Sequence, residues 1–326
     1  MKIIEVTKLD EITNYKNDFD RLDSKTYYFQ TYDFIVNYLK FYKEKFSIDI
    51  IKKDNNIIIL PLSLFKYKGL SFYGFIGSPD ISEENEIITN IKDFSLFANL
   101  LNHYFYNSKK RYFFCNLKNG ILKKYLSQNS LFYNLDKKKT NTVNISKSEI
   151  YKDSKTKYKD NAYEFRKFEK EYSLKESEFK FYDLNNSDIL KLKIFDFILI
   201  NKSKDDYRYK KNLLFLLSLA KNNLIRVNLL KVKDYLLSVI IYSVHRKTLY
   251  YIIPSYNKTF KKFSFGKIHL IKLLNKNKNN NISQLFLGPG EEMYKKKFIL
   301  EDDYIFFFSN SKLLRFLIKL KLLLKG

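Results

Sequence analysis

Residues 286–298 hold the densest mix of turn-formers and ionisable groups in the chain: Phe286-Leu287-Gly288-Pro289-Gly290-Glu291-Glu292-Met293-Tyr294-Lys295-Lys296-Lys297-Phe298. An apolar, strand-like run breaks at two glycines. An acidic pair, a tyrosine and a basic cluster then open a predicted helix. Only eight glycines and four prolines serve all 326 residues, so Gly-Pro-Gly in one place is a backbone event. A second stretch, Ser264-Phe265-Gly266-Lys267, opens a predicted helix directly after a run of strands. Free N–H groups at a helix start, with a glycine that lets a ligand approach and a lysine beside it, suit a phosphate. Lys258, Lys261 and Lys262 lie just upstream. The plainer alternative is a serine N-cap in a lysine-rich protein. For the glycine turn it is a tyrosine that packs and glutamates that decorate a helix start.

Other chemistries find little support. No His, Asp and Glu cluster has metal-ligand spacing. No serine nucleophile elbow, Walker loop or complete dinucleotide fingerprint occurs. The lone cysteine, Cys115, lies among aromatics in Tyr112-Phe113-Phe114-Cys115 and reads as a buried strand thiol. One cysteine allows no internal disulfide and suits a reducing cytoplasm. His103 reads as structural, His245 as a solvated turn residue, and His269 as facing core or cleft one turn past Gly266. Asp80, with Glu83 and Glu84 nearby, could contact an acceptor.

Charge bounds the partners. Sixty basic and 35 acidic residues give +25. An anionic partner is one explanation: nucleic acid, CoA phosphates or a lipid surface. Lysine drift in an AT-rich genome is the other, consistent with lysines scattered from end to end. Hydrophobic residues make up 45% of the chain, with 30 Phe, 27 Tyr and no Trp, enough to bury substantial cores. No signal peptide is expected, and no apolar run is long enough to span a bilayer.

The elements that must position these residues follow from periodicity. Helical spacing covers 29–46, with Phe34, Tyr38 and Phe41 or Tyr42 on one face. Strands are predicted at 48–52 and 57–64, with Pro61 marking an edge or a bulge. A short strand near 71–76 runs into a turn, a helix covers 91–107, and a strand covers 112–117. The polar stretch 134–150 reads as a domain junction. A charged helix covers 151–174, and two more cover 187–202 and 206–222. Strands at 224–232, 235–244 and 248–254 make an antiparallel meander. A helix over 265–275, a strand over 283–287, the glycine turn and a strand over 304–308 complete the pattern. The tail, 311–326, is basic and leucine-rich. Leu313, Leu317, Leu320 and Leu324 share a face that can lie in a membrane interface or dock on the second domain.

This order is similar to the GNAT acyltransferase fold. The chain resembles the two-domain GNAT-like acyltransferases of bacterial polysaccharide and cellulose biosynthesis loci, cousins of the Fem-type aminoacyltransferases. Residues 27–46 resemble that family's early helix, with Tyr32 where a tryptophan is usual. Ile57–Leu62 resembles its "gilPL" strand, and Gly77 with Asp80 its "lG…D" turn. Tyr158–Glu171 resembles the basic helix opening the second domain, with Arg166 at the motif arginine. Phe263–Lys267 resembles "spG", and Gly290–Lys295 resembles "G-d-e-p-Y-K". Two departures stand out: Phe286 occupies the position of a usual Asp, and Phe265 that of the proline.

The resemblance implies an α+β fold of tandem GNAT-like domains, each a mixed, mostly antiparallel sheet flanked by helices. The implied division is 1–145, 146–310 and a tail, 311–326. It implies an acyl-CoA donor held by Ser264, Phe265, Gly266 and Lys267, with no metal. Tyr294 would protonate the departing thiolate, and Glu291 and Lys295 would orient donor or acceptor. Asp80 and Arg166 would contact the acceptor, a sugar or glycolipid. The implied location is cytoplasmic, with the tail allowing peripheral contact at the inner membrane face. Charged tRNA as donor, as in the Fem-type enzymes, is the alternative, and a non-catalytic module on a decayed scaffold is a third.

Overall fold

A computed structural model describes residues 1–22, 26–145, 159–175, 178–184, 188, 193–202, 207–277, 281–289 and 300–323. In chain order the elements are β1 (Lys2–Val6), α1 (Lys16–Leu22), α2 (Tyr32–Tyr42), β2 (Phe46–Lys53), β3 (Asn56–Tyr67), β4 (Leu70–Phe75), β5 (Ile88–Thr89), α3 (Phe94–Asn107), β6 (Phe113–Leu117), α4 (Ile121–Gln128) and β7 (Tyr133–Asn144). They continue with α5 (Lys159–Glu171), β8 (Phe179–Asp183), α6 (Ile194–Lys202), α7 (Tyr207–Lys221), β9 (Arg226–Val232), β10 (Tyr235–His245), β11 (Thr248–Tyr256), α8 (Phe265–Asn277), β12 (Gln284–Pro289), β13 (Leu300–Ser309) and α9 (Lys312–Leu323). The fold is mixed α+β, with two sheets flanked by helices. The chain divides into two units, Met1–Lys139 with Asp303–Gly326, and Thr140–Asp302.

In the first unit, β1, β2, β3 and β4 form an antiparallel sheet in that order, and β5 pairs with β3. Alternation along β2 and β3 turns Ile51, Ile58, Leu60 and Leu62 to one face, where Phe97, Leu101, Tyr104 and Phe105 of α3 cover them. Asp93 caps α3 by accepting from the Ser95 N–H at 2.9 Å. Strands β6 and β13 pair antiparallel. Cys115 on β6 is 1% exposed, and burial holds its thiol protonated, so the expected inert strand thiol is observed. Helix α9 packs Leu314 against Phe72, Phe113 and Cys115. The tail therefore docks on the first unit rather than on the second. Leu313, expected on the docking face, is exposed, because Leu314 takes the buried place.

Pro61 is neither at an edge nor at a bulge. It lies in mid-β3, with Ile48 as its partner on β2. Its carbonyl accepts from Ile76, so its nitrogen faces the side where β5 pairing ends and β4 pairing begins. No ladder bond is demanded of it in that gap.

In the second unit the order is β7, β12, β11, β10, β9 and β8, with the end of β7 pairing β12. The expected meander β9–β10–β11 is antiparallel. Helix α8 buries Leu270, Leu273 and Leu274 against Val143, Ile240, Leu249, Leu285 and Leu287. Strand β7 is absent from the sequence reading, which saw only a polar stretch over 134–150. Its first half is charged and exposed, but Thr140, Asn141, Thr142 and Val143 are buried. Three of those four are β-branched, which suits a pleated, packed surface.

Candidate active site

The two central strands of the second unit run parallel. Thr248, Leu249 and Tyr250 of β11 pair with Gln284, Leu285 and Phe286 of β12. Among the described residues the ladder stops there, although β11 continues to Tyr256 and β12 to Pro289. Beyond Tyr250, β11 pairs among the described residues only with β10, as far as Tyr256 opposite Ser238. β12 bulges after Phe286 and rejoins β7 at Pro289 opposite Thr140. The two strands thus part at their carboxyl ends, where open sheets place ligands. Gly288 at the bulge has φ +74°, which favours glycine, and its carbonyl accepts from Asn141 Nδ2 at 2.8 Å. Phe286, standing for the family's Asp, is 2% exposed, with its ring 5.7 Å from that of Tyr250.

Chain leaving β11 turns at once into α8. Asn257 starts the turn, accepting from the Thr259 N–H at 3.0 Å. One short 3-10 segment, Lys258–Phe263, follows, and Ser264 takes a left-handed conformation at φ 52°. Its carbonyl accepts from Lys267 and Ile268, at 2.9 and 3.2 Å, which begins the helix. An aromatic cluster fixes this corner. Phe168 of α5 lies 4.8 Å from Phe263 and from Phe265, and 5.4 Å from Phe260, all edge to face. Phe265 is 1% exposed, so only its backbone can reach a ligand. The Gly266 N–H has no partner among the described residues. A Cβ at Gly266 would stand 3.2 Å from the Tyr256 ring.

The cations near this helix start differ in their commitments. Lys262 is tied to Glu171 at 2.6 and 2.9 Å. Lys261 is exposed with no ion pair among the described residues, and Lys267 is half-buried in the first turn of α8. Arg166 is exposed on α5, two residues before the Phe168 that packs on this corner. The structure therefore brings Ser264, Phe265, Gly266, Lys267 and the helix of Arg166 together. Asp80 belongs to the first unit, exposed in the turn after β4, where Gly77 has φ +85°. Glu291, Tyr294 and Lys295 lie outside the described residues.

Sequence reasoning missed a buried polar chain beneath α8. Asp183 on β8 accepts from Asn228 Nδ2 at 2.6 Å, from the Tyr242 hydroxyl at 3.1 Å and from Lys276 at 2.6 Å. Because the Asn228 amide donates to Asp183, its Oδ1 accepts from His269 Nε2, 2.8 Å away, and that assigns the ring proton. His269 is fully buried, and desolvation lowers its pKa to about 3. It is a neutral core histidine. His103, read as structural, is instead exposed on α3. No group of three metal-ligating side chains occurs among the described residues, nor does any described helix have the length and apolarity to cross a membrane.

Comparison with known proteins adds a match over part of the chain. Residues 203–296 match the family model for the acetyltransferase (GNAT) domain. The matched stretch contains the meander, the helix start and the glycine turn. No match was found among curated protein sequences. Among solved structures, the chain is similar to FemX at 9% identity and TM-score 0.62, covering 95% of this chain and 97% of that one. It is similar to the C-terminal domain (DUF2156) of a putative lysylphosphatidylglycerol synthetase from Agrobacterium fabrum, at 10% identity and TM-score 0.59, covering 96% of each. A tandem GNAT protein from the clavulanic acid biosynthesis pathway aligns at 7% identity and TM-score 0.52, covering 95% of this chain and 99% of that one. At these identities the likeness is one of fold, and the neighbours include tandem GNAT folds.

Proposed function

We propose that the chain is an acyltransferase, moving an acyl group from acyl-CoA to an amino or hydroxyl group on a sugar of a surface polysaccharide or glycolipid. The observation that carries this is the parting of β11 from β12 beside the start of α8, inside the stretch that matches the GNAT domain. In this reading the backbone around Ser264 and Gly266, with Lys267, holds the pyrophosphate of the donor. The acceptor attacks the thioester carbonyl, a C–N or C–O bond forms, and the C–S bond breaks. Tyr294 gives its proton to the leaving thiolate and is reprotonated by the proton that the acceptor loses, while Glu291 and Lys295 orient the reactants. Arg166 contacts the acceptor. Of two GNAT-like domains, 1–145 and 146–310, the second carries these groups, and the basic tail 311–326 brings the enzyme to a lipid-linked acceptor.

One observation favours a second reading. A net charge of +25 suits a charged-tRNA donor, as in the Fem-type enzymes. Calorimetric titration of the nuclease-treated protein with acetyl-CoA and longer acyl-CoAs separates the two. Micromolar binding, abolished in folded Gly266→Glu, is the expected result. Unchanged affinity in that variant would remove the phosphate site, and no binding to any thioester would transfer the assignment to charged tRNA.

A further inference from the structure

The first unit contains a cavity that acyl transfer does not use. Its volume is about 620 Å³, and all its lining residues belong to that unit. The floor is charged. Glu5 on β1 and Asp49 on β2 are direct cross-strand partners, so two carboxylates stand side by side on the face that α3 covers. Like charges so placed repel. Lys110 joins them, its Nζ 2.8 Å from Glu5, 2.9 Å from Asp49 and 2.7 Å from the Ser47 hydroxyl. The Tyr104 hydroxyl donates to Asp49 and accepts from Tyr112 at 2.9 Å. Asp49 is 1% exposed.

This cluster is a poor choice for stability alone. Its desolvation cost approaches its Coulombic gain, and an apolar filling would serve the fold as well. Here the charges border unfilled space instead. Three of the groups at that space have bonding capacity left. Glu5 uses only its Oε1 towards Lys110 and Ser47, and its side chain is 52% exposed. Lys109 and Arg111, on either side of Lys110, are exposed at the mouth with no ion pair among the described residues. Glu5, Asp49 and Lys110 leave the floor with one net negative charge, and Lys109 and Arg111 give the mouth two positive ones.

We propose that this cavity binds a small phosphorylated polyol of sugar-phosphate size. Arg111 and Lys109 take the phosphate, for which the guanidinium fork is well shaped. Glu5 Oε2 accepts from a hydroxyl deeper in, and Leu64 and Tyr73 form the wall. The volume lies within the range of small-molecule sites. The assignment is independent of acyl transfer in the second unit.

The test is calorimetry on the full chain with glucose 6-phosphate, glycerol 3-phosphate, glucose and inorganic phosphate. At least one phosphorylated polyol is expected to bind about tenfold or more tighter than glucose or inorganic phosphate. Lys109→Ala with Arg111→Ala, both at exposed positions, should weaken that binding about tenfold or more, and Glu5→Gln should weaken it too. Acyl-CoA binding should be unaffected by either change, and circular dichroism checks that the variants fold. The proposal is overturned if neither phosphorylated polyol binds at millimolar concentration. It is equally overturned if binding survives the double variant, or if inorganic phosphate binds as tightly as the tighter of the two phosphorylated polyols.

Discussion

Each unit holds a carboxylate, a lysine and a tyrosine in one hydrogen-bonded group, yet the two groups are built differently. In the first unit Asp49 is enclosed, and Lys110 bridges it to a second carboxylate beside an open cavity. In the second, Asp183 keeps a partly exposed side chain, shares its load among Asn228, Tyr242 and Lys276, and fills the space under α8. Two carboxylates that share one lysine keep a net charge, and such a group is fragile and can serve a ligand. A single carboxylate with its own lysine and two neutral donors is sturdy and serves the fold.

The difference can be broken with two matched substitutions. Lys110→Met leaves Glu5 and the enclosed Asp49 without their cation and should cost about 3–5 kcal/mol. Lys276→Met removes a lysine whose side chain is 38% exposed, and Asp183 retains two donors, so the loss should be about 1 kcal/mol or less. Urea unfolding of the full chain measures both. Equal losses would mean that the two groups are energetically alike, and the contrast would fall.

A second, smaller effect sharpens the comparison through pH. Glu86 in the first unit accepts from the Ile87 and Leu122 N–H groups through Oε1, while its buried Oε2 has no partner. Desolvation raises its pKa from the ordinary 4.5 to about 7. The folded chain thus holds a proton that the unfolded chain has released. That stability is fully present below pH about 4.5 and is lost as pH rises through about 7. His269 in the second unit runs the other way. Its pKa falls from 6.5 to about 3, so its contribution is complete above pH 6.5 and lost as pH falls towards 3. The shifts set upper bounds of about 3 kcal/mol for Glu86 and about 5 kcal/mol for His269. Hydrogen exchange on the intact protein should show peptides around Glu86 loosening towards alkaline pH and those around His269 loosening towards acid. Glu86→Gln and His269→Gln should each flatten their own slope and leave the other. A shared direction would contradict the opposite protonation states assigned here.

What the sequence revealed, and what it hid, follows from how each element is encoded. The meander β9–β10–β11 was readable because apolar runs broken by Lys233-Asp234 and His245-Arg246-Lys247 spell strand and turn locally. Cys115 was readable from its aromatic neighbours. Strand β7 was not, since its lysines describe only the exposed half while Thr140 and Thr142 gain their burial from β12, far along the chain. Likewise Asp49 and Glu5 are 44 residues apart, and Lys110 is farther still, so no local pattern could announce their cluster. The helix start at Ser264–Lys267 was legible as a motif. Only the structure supplied the parting of β11 from β12, because a missing ladder is a property of two strands and not of either one.

The smallest expected effect bears on that helix start. A methyl group at position 266 would meet Tyr256 at 3.2 Å, but Tyr256 is 41% exposed and free to give by a few tenths of an ångström. Alanine also gains about 0.5–1 kcal/mol over glycine in a helix interior, which offsets the contact. Gly266→Ala should therefore leave stability within about 0.5 kcal/mol, as measured by urea unfolding. A loss of 2 kcal/mol or more would mean that the Tyr256 contact is rigid and that the glycine serves packing. In that case, binding lost in Gly266→Glu would carry weight only if Tyr256→Ala, which makes room for the side chain, failed to restore it. If room alone restores binding, the glycine was there for the ring. If it does not, charge and bulk at the helix start repel the donor, and the glycine marks the site.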